Sequence, residues 1–434
     1  MRLLLMRWSV ILSVIGSFPF STARGGLEDY VKRPDPEFAW KVTGSEVTDS
    51  GTVWNLDLTS QVWQGIRWEH RLRVYEPKLI QHPDAVLLFI TGGSTDTRAN
   101  ANDHRTGFAL AALCGARVAV LPQVPNQPLL GGKTEDTLIA ETFVRYLETK
   151  DDNWPLLFPM VKSAVKGMDA VQAWSKEASK PPVAKFVVAG ASKRGWTTWL
   201  TGAVDPRVVG IAPMVIVTLN MKAQNANQVE VWGKFSEQIN DYTKRGLMDR
   251  FNEPDRQKLW MMVDPYFYRD RLTMPKLLIN GTNDRYWTLN ALDLFWDDLK
   301  GPKNVVYLPN AGHGLDQHRD YALNGIGAFF RQVVAGRPMP EVTWKFASGG
   351  SRLSIEASPK PKAARIWTAR SETRDFRDSR WESSPMEPGS TMTAEVPRPE
   401  KGYVAFFADL DYEVEGITYH LSTQIGQQGV KAAR

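Results

Sequence analysis

Residues 187–200 read VVAGASKRGWTTWL. A β-branched run reaches Gly190, a lone serine follows at Ser192, and helix-forming residues come next. The order predicts a buried strand, a sharp turn and a helix. A serine at that junction has two readings. Held on a tight strand-to-helix turn, it projects its hydroxyl out of the sheet as a nucleophile. As an N-cap, it binds the first backbone N–H groups of the helix. The choice depends on whether the rest of the chain supplies a base, an orienting acid and oxyanion donors.

Outward from this stretch, apolar runs alternate with amphipathic segments. Residues 85–90 (AVLLFI), 117–122 (RVAVLP), 184–190 (AKFVVAG), 208–216 (VVGIAPMVI), 275–281 (PKLLING) and 304–309 (NVVYLP) read as buried strands. Residues 135–149 and 158–174 read as helices between them. Fully apolar strands alternating with helices predict an α/β fold with a mainly parallel central sheet covered on both faces. Residues 39–76 read instead as a meander of short strands. Residues 218–273 are too long for a plain crossover and carry Trp232, Phe235, Tyr242, Trp260 and Tyr268, which predicts a helical, aromatic cap. Past AGRPMP (335–340), short alternating strands separated by turns predict a C-terminal β-sandwich over 341–434. The main α/β domain is then 24–338.

In a parallel-sheet hydrolase the partners of the serine follow in the order acid, then histidine, each just past a strand end. Asp284 in INGTNDRYW and His313 in YLPNAGHGL stand in those places. Of the six histidines only His313 lies between glycines directly after a predicted core strand. Asp264, in MVDPYFY, is the rival acid. Gly92 and Gly93 follow the 85–90 strand and offer bare N–H groups to an oxyanion, with the N–H of Lys193 as a second donor. Arg194 stands where the usual Gly-x-Ser-x-Gly elbow has its second glycine, and is expected to point outward, toward the pocket mouth or along the helix. Arg194, Trp232, Tyr242 and Trp260 are the candidate substrate-binding residues.

Composition narrows the class. The charge balance of +5 is dispersed without a basic block, which argues against nucleic-acid binding. Cys114 is the only cysteine, so no internal disulfide is possible. Arg2 and Arg7, an apolar run of roughly a dozen residues, then Ser21-Thr22-Ala23 follow the order of a secretory signal. Cleavage after Ala23, a secreted or periplasmic location and no stable membrane insertion afterwards are expected. PLLGGKTE (128–135) has Gln127 where a phosphate loop needs glycine, and HGLDQH (313–318) lacks metal-ligand spacing. Neither a cofactor nor a metal is expected.

GASKRGWTTWL, MVDPYFYRDRLTMPKLLINGTNDRYW and PNAGHGL together resemble the PhoPQ-activated pathogenicity-related (PqaA-type) family, which includes autocrine proliferation repressor-like proteins. The resemblance spans roughly residues 27 to 425. It implies an α/β-hydrolase fold, a secreted or envelope location, a C-terminal β-rich region and an association with virulence or envelope responses. It implies no particular substrate. The G-x-S-x-x-G elbow is also similar to that of glucuronoyl esterases, an esterase hint. Two functions stay open: a serine hydrolase (esterase or peptidase) acting on a small-molecule, glycan or peptide substrate, and a binding or signalling protein on a hydrolase fold.

Overall fold

The computed structural model describes residues 26–347 and 350–430. The segment read as a secretory signal lies outside these residues. After a short helix α1 (Leu27–Lys32), β1 (Ala39–Thr48), β2 (Gly51–Trp63) and β3 (Ile66–Pro77) form an antiparallel meander. The wound part follows: β4 (Ala85–Ile90), α2 (Ala101–Cys114), β5 (Arg117–Leu121), α3 (Glu135–Thr149), α4 (Leu157–Glu177), β6 (Lys185–Ala191), α5 (Lys193–Val204) and β7 (Val208–Met214). The 218–273 insertion folds largely as α6 (Met221–Trp232), α7 (Asn240–Thr243) and α8 (Pro254–Val263). The chain then returns through β8 (Lys276–Gly281), β9 (Lys303–Leu308) and α9 (Arg319–Val334).

The spatial order is β1-β2-β3-β5-β4-β6-β7-β8-β9, with β4 to β9 parallel and β3 antiparallel to β5. This is the α/β-hydrolase arrangement. Strand β4 shows why its strands are apolar throughout. Val86, Leu88 and Ile90 pack into one core and Ala85 and Leu87 into the other. Successive side chains of a strand point to opposite faces, so a strand covered on both sides needs an apolar residue at every position. The chain winds from β4 outward to β5 and then back past β4 to β6. Such a reversal opens a crevice at the C-terminal ends of β4 and β6, where ligands of open α/β sheets gather.

The C-terminal strands are β10 (Glu341–Phe346), β11 (Arg352–Ser358), β12 (Ala363–Ser371), β13 (Glu382–Met386), β14 (Thr391–Glu395), β15 (Gly402–Val414), β16 (Ile417–Ser422) and β17 (Gly426–Val430). Strands β10, β11 and β14 form a three-stranded sheet whose Leu353, Ile355 and Met392 share a core with Val404, Phe406 and Leu410 of β15. Two sheets thus face each other, but the larger one is not separate. Ser422 of β16 pairs with Val305 of β9, which carries the main sheet on to fourteen strands. Among the described residues no helix is long and apolar enough to cross a membrane.

A partly buried ionic network ties these strands to α9. Arg365 donates to Asp409 and Asp411, each at 2.6 Å, and His420 Nδ1 lies 3.0 Å from Asp411. The His420 ring stacks on Tyr321 with centroids 3.5 Å apart. Burial alone would depress the pKa of His420, but the two carboxylates overcome it and raise it to about 9. A histidine raised on folding stabilises fully below its ordinary value near 6.5 and loses that contribution as pH climbs through about 9. The thermal midpoint of the protein should therefore exceed that of His420→Gln at pH 6, and the gap should narrow by pH 10. The contribution lost is at most about 3 kcal/mol. A gap that does not change with pH would count against it.

Candidate active site

Strand β6 delivers Ser192 onto a strained turn, with φ 56° and ψ −125°. A non-glycine residue there is held by its surroundings, as in the nucleophile elbow. Close packing explains the small residues around it. A Cβ on Gly195 would meet the Ile216 side chain at 2.5 Å and the Gly190 carbonyl at 2.9 Å. The Ser192 side chain makes no capping bond to α5. Its Oγ instead lies 2.8 Å from His313 Nε2, and His313 Nδ1 lies 2.8 Å from Asp284 Oδ2. A carboxylate only accepts, so Nδ1 carries the proton and Nε2 is free to accept from the serine hydroxyl. Asp284 is buried, and its Oδ1 accepts from the Tyr286 N–H at 2.8 Å.

The two loops that carry Asp284 and His313 pack backbone to backbone. Asn283 N–H donates to Ala311 O at 2.9 Å, and a Cβ on Gly281 would stand 2.3 Å from that same oxygen. Glycine is required at 281 for this approach. The C-terminal region braces both loops. Asn283 Nδ2 donates to the Ser379 carbonyl at 2.7 Å, and Asn310 exchanges bonds with the Trp381 backbone at 2.7 and 3.0 Å. Asp264, the rival acid, sits elsewhere. Its buried carboxylate accepts backbone N–H groups of Asn220, Met221 and Tyr266 within the insertion.

Arg194 corrects the outward orientation expected of it. It turns inward beneath Gly92 and is buried. Its Nε donates to the Val124 carbonyl at 2.5 Å, and its two terminal nitrogens hold Glu135 at 2.7 Å each. Burial would raise Glu135, yet the guanidinium, with Gln127 and Lys193, holds its pKa at about 2. Room for this comes from Gly92, where a Cβ would lie 2.3 Å from Arg194 Nη2. The bulk that the elbow carries at position 194 is matched by an absence of bulk at 92. Neither Arg194 nor Trp232 lines the cavity beside Ser192, and both corrections have a packing cause. Trp232 lies under the Arg377 guanidinium, 4.2 Å from its ring centre.

Tyr242 and Trp260 do line that cavity, together with Trp196, Ile216, Met221 and Met248. Its free volume is about 40 Å³. A polar cluster closes one side. Asp136 accepts from Lys193 Nζ at 2.9 Å, Tyr242 Oη at 2.9 Å and Tyr286 Oη at 3.2 Å. The Tyr286 ring also lies against His313, centroids 4.2 Å apart. Burial, then the Asp136 charge, raises the pKa of both tyrosines, so each stays a neutral donor. Asp136 and Tyr286 were not legible as site residues. Their one sequence signal is position, at a helix start and two residues past Asp284. Gly92 and Gly93 stand at the end of β4 outside this cavity, and among the described residues their N–H groups have no protein acceptor. The Lys193 N–H, first in α5, has no acceptor within its helix.

The family model for PhoPQ-activated pathogenicity-related proteins matches residues 27–377. Autocrine proliferation repressor protein A of Dictyostelium discoideum is 33% identical over 441 residues, covering 93% of this chain and 88% of that one. Among solved structures, acetyl xylan esterase 1 from Thermoanaerobacterium aligns with a TM-score of 0.43 at 18% identity, over 71% of this chain and 93% of that one. An S-formylglutathione hydrolase from Agrobacterium tumefaciens aligns at 0.46 and 14%, over 68% and 99%. The match to the family model over most of its length makes this chain a member of the PhoPQ-activated pathogenicity-related family.

Proposed function

We propose that the protein is a serine hydrolase that cleaves carboxylic esters outside the cytoplasm. The observation that carries this reading is the continuous chain from Ser192 through His313 to Asp284 on a strained elbow. Ser192 Oγ attacks the carbonyl carbon while His313 Nε2 takes its proton, and Asp284 holds the imidazolium that forms. The proton passes to the departing alkoxide, and water then releases the acid by the same route. The Lys193 N–H, and Gly92 or Gly93 across the crevice, are the donors suited to the oxyanion. The signal-like order of residues 2–23 supports export to the periplasm or medium. The family's own description connects it with pathogenicity.

A second reading, a hydrolase-fold signalling protein without turnover, is favoured by the name of the Dictyostelium relative. A fluorophosphonate probe separates the two. An activated serine forms a stable adduct whose phosphoryl oxygen sits where the oxyanion would. The folded protein should be labelled once, at Ser192, and the label should disappear in Ser192→Ala. Failure to label, together with failure to hydrolyse a short acetyl ester, would favour the signalling reading.

A further inference from the structure

We infer that the ester taken by this site carries a short, uncharged, apolar acyl group. The inference rests on the serine hydrolase reading and adds the substrate class. It starts from charge. Two cations follow Ser192 directly, and both are already matched: Lys193 by Asp136 at 2.9 Å, Arg194 by Glu135 at 2.7 Å on each of two bonds. A charged acyl group entering beside Ser192 would lose its water and find no unmatched cation in the lining, only the unpartnered Thr218 hydroxyl, which is costly. A group without charge meets no such penalty.

Size and lining narrow the class further. The cavity's 40 Å³ is well under the roughly 150 Å³ of an apolar cavity that admits benzene, and suits an acyl chain of about two to four carbons. Beside the polar side chains of Thr218, Asn225 and Gln228, its walls include the apolar side chains of Trp196, Ile216, Met221, Met248 and Trp260. Three of these belong to the insertion, so the insertion sets the depth. The insertion is fastened to α3 by Tyr242 on Asp136 at 2.9 Å and by Thr137 on Asp241 at 2.8 Å. Those bonds hold the walls in place.

Which half of the ester enters follows from the reaction. The alkoxide must collect its proton from His313 and depart, and His313 is about a quarter exposed, at the open side. The acyl carbon stays bonded to Ser192 Oγ until water replaces it. The enclosed part of the site is thus left to the acyl group, and the alcohol part faces solvent, where its size is unrestricted.

Hydrolysis of p-nitrophenyl acetate, butyrate, octanoate and hemisuccinate by the whole protein tests this. We expect kcat/KM for acetate and butyrate to agree within about 10-fold, and octanoate and hemisuccinate to fall at least 100-fold below them. Met248→Ala should raise the octanoate-to-acetate ratio at least 10-fold; if that variant does not fold, Ile216→Val should move the ratio the same way. Octanoate or hemisuccinate cleaved as well as acetate would overturn the inference. So would absence of turnover on all four esters from protein whose Ser192 reacts with a fluorophosphonate, while leaving the hydrolase reading standing. A Ser192 that neither reacts nor turns over any ester removes both.

Discussion

Ser192→Ala and His313→Ala should each lower kcat on an accepted ester by about 10⁶-fold, and the double variant should be no worse than either. The reason is that the two side chains form one device. Without the imidazole, the serine hydroxyl keeps its proton and is a poor nucleophile. Without the hydroxyl, the imidazole can only assist water from a position set for another atom. Residual activity of about 10³- to 10⁴-fold over the uncatalysed rate should persist, because the oxyanion donors and the cavity are untouched. The measurement is single-turnover kinetics on the three variants, with circular dichroism to show that each is folded. Multiplicative losses in the double variant would mean that the 2.8 Å contact between Ser192 and His313 is not a working pair.

Much of this arrangement is legible in the sequence because its causes are local. Strand β4 is apolar at every position because both faces are covered, so AVLLFI announces itself. Asp284 and His313 each follow such a run by a few residues, and the glycines beside His313 mark a loop that the imidazole can leave. What is not legible depends on partners far along the chain. The inward turn of Arg194 requires the missing side chain at Gly92, about a hundred residues earlier. The brace on Asn283 and Asn310 comes from residues 379–381, beyond the hydrolase strands altogether. Strand β13 escapes notice because Ser383, Ser384 and Pro385 have little strand propensity; it is an edge strand, where proline is tolerated. The continuity of the main sheet into the C-terminal strands rests on one residue pair, Ser422 with Val305, which no periodicity could reveal.

The sharpest contrast lies between the two aspartates. The pKa of Asp264 is displaced: burial pushes it up to about 7 in spite of three backbone N–H donors, and displaced values often mark functional groups. Its partners argue otherwise. The bonds from Asn220, Met221 and Tyr266 join the start of α6 to the turn that follows α8, so its work is to hold the insertion together. Asp284 instead touches the imidazole, and its second oxygen is fixed by the Tyr286 N–H. Asp284→Asn should lower kcat by about 10⁴-fold. Its amide can donate to Nδ1 and so favour the tautomer with the proton on Nε2, which cannot accept from Ser192. Asp264→Asn should leave kcat within about 10-fold while lowering stability by about 1–3 kcal/mol, because the amide turns a donor toward backbone N–H groups that need acceptors. Steady-state rates and urea unfolding on the two variants distinguish them. If Asp264→Asn loses more rate than Asp284→Asn in protein that is equally folded, the acid has been assigned to the wrong residue.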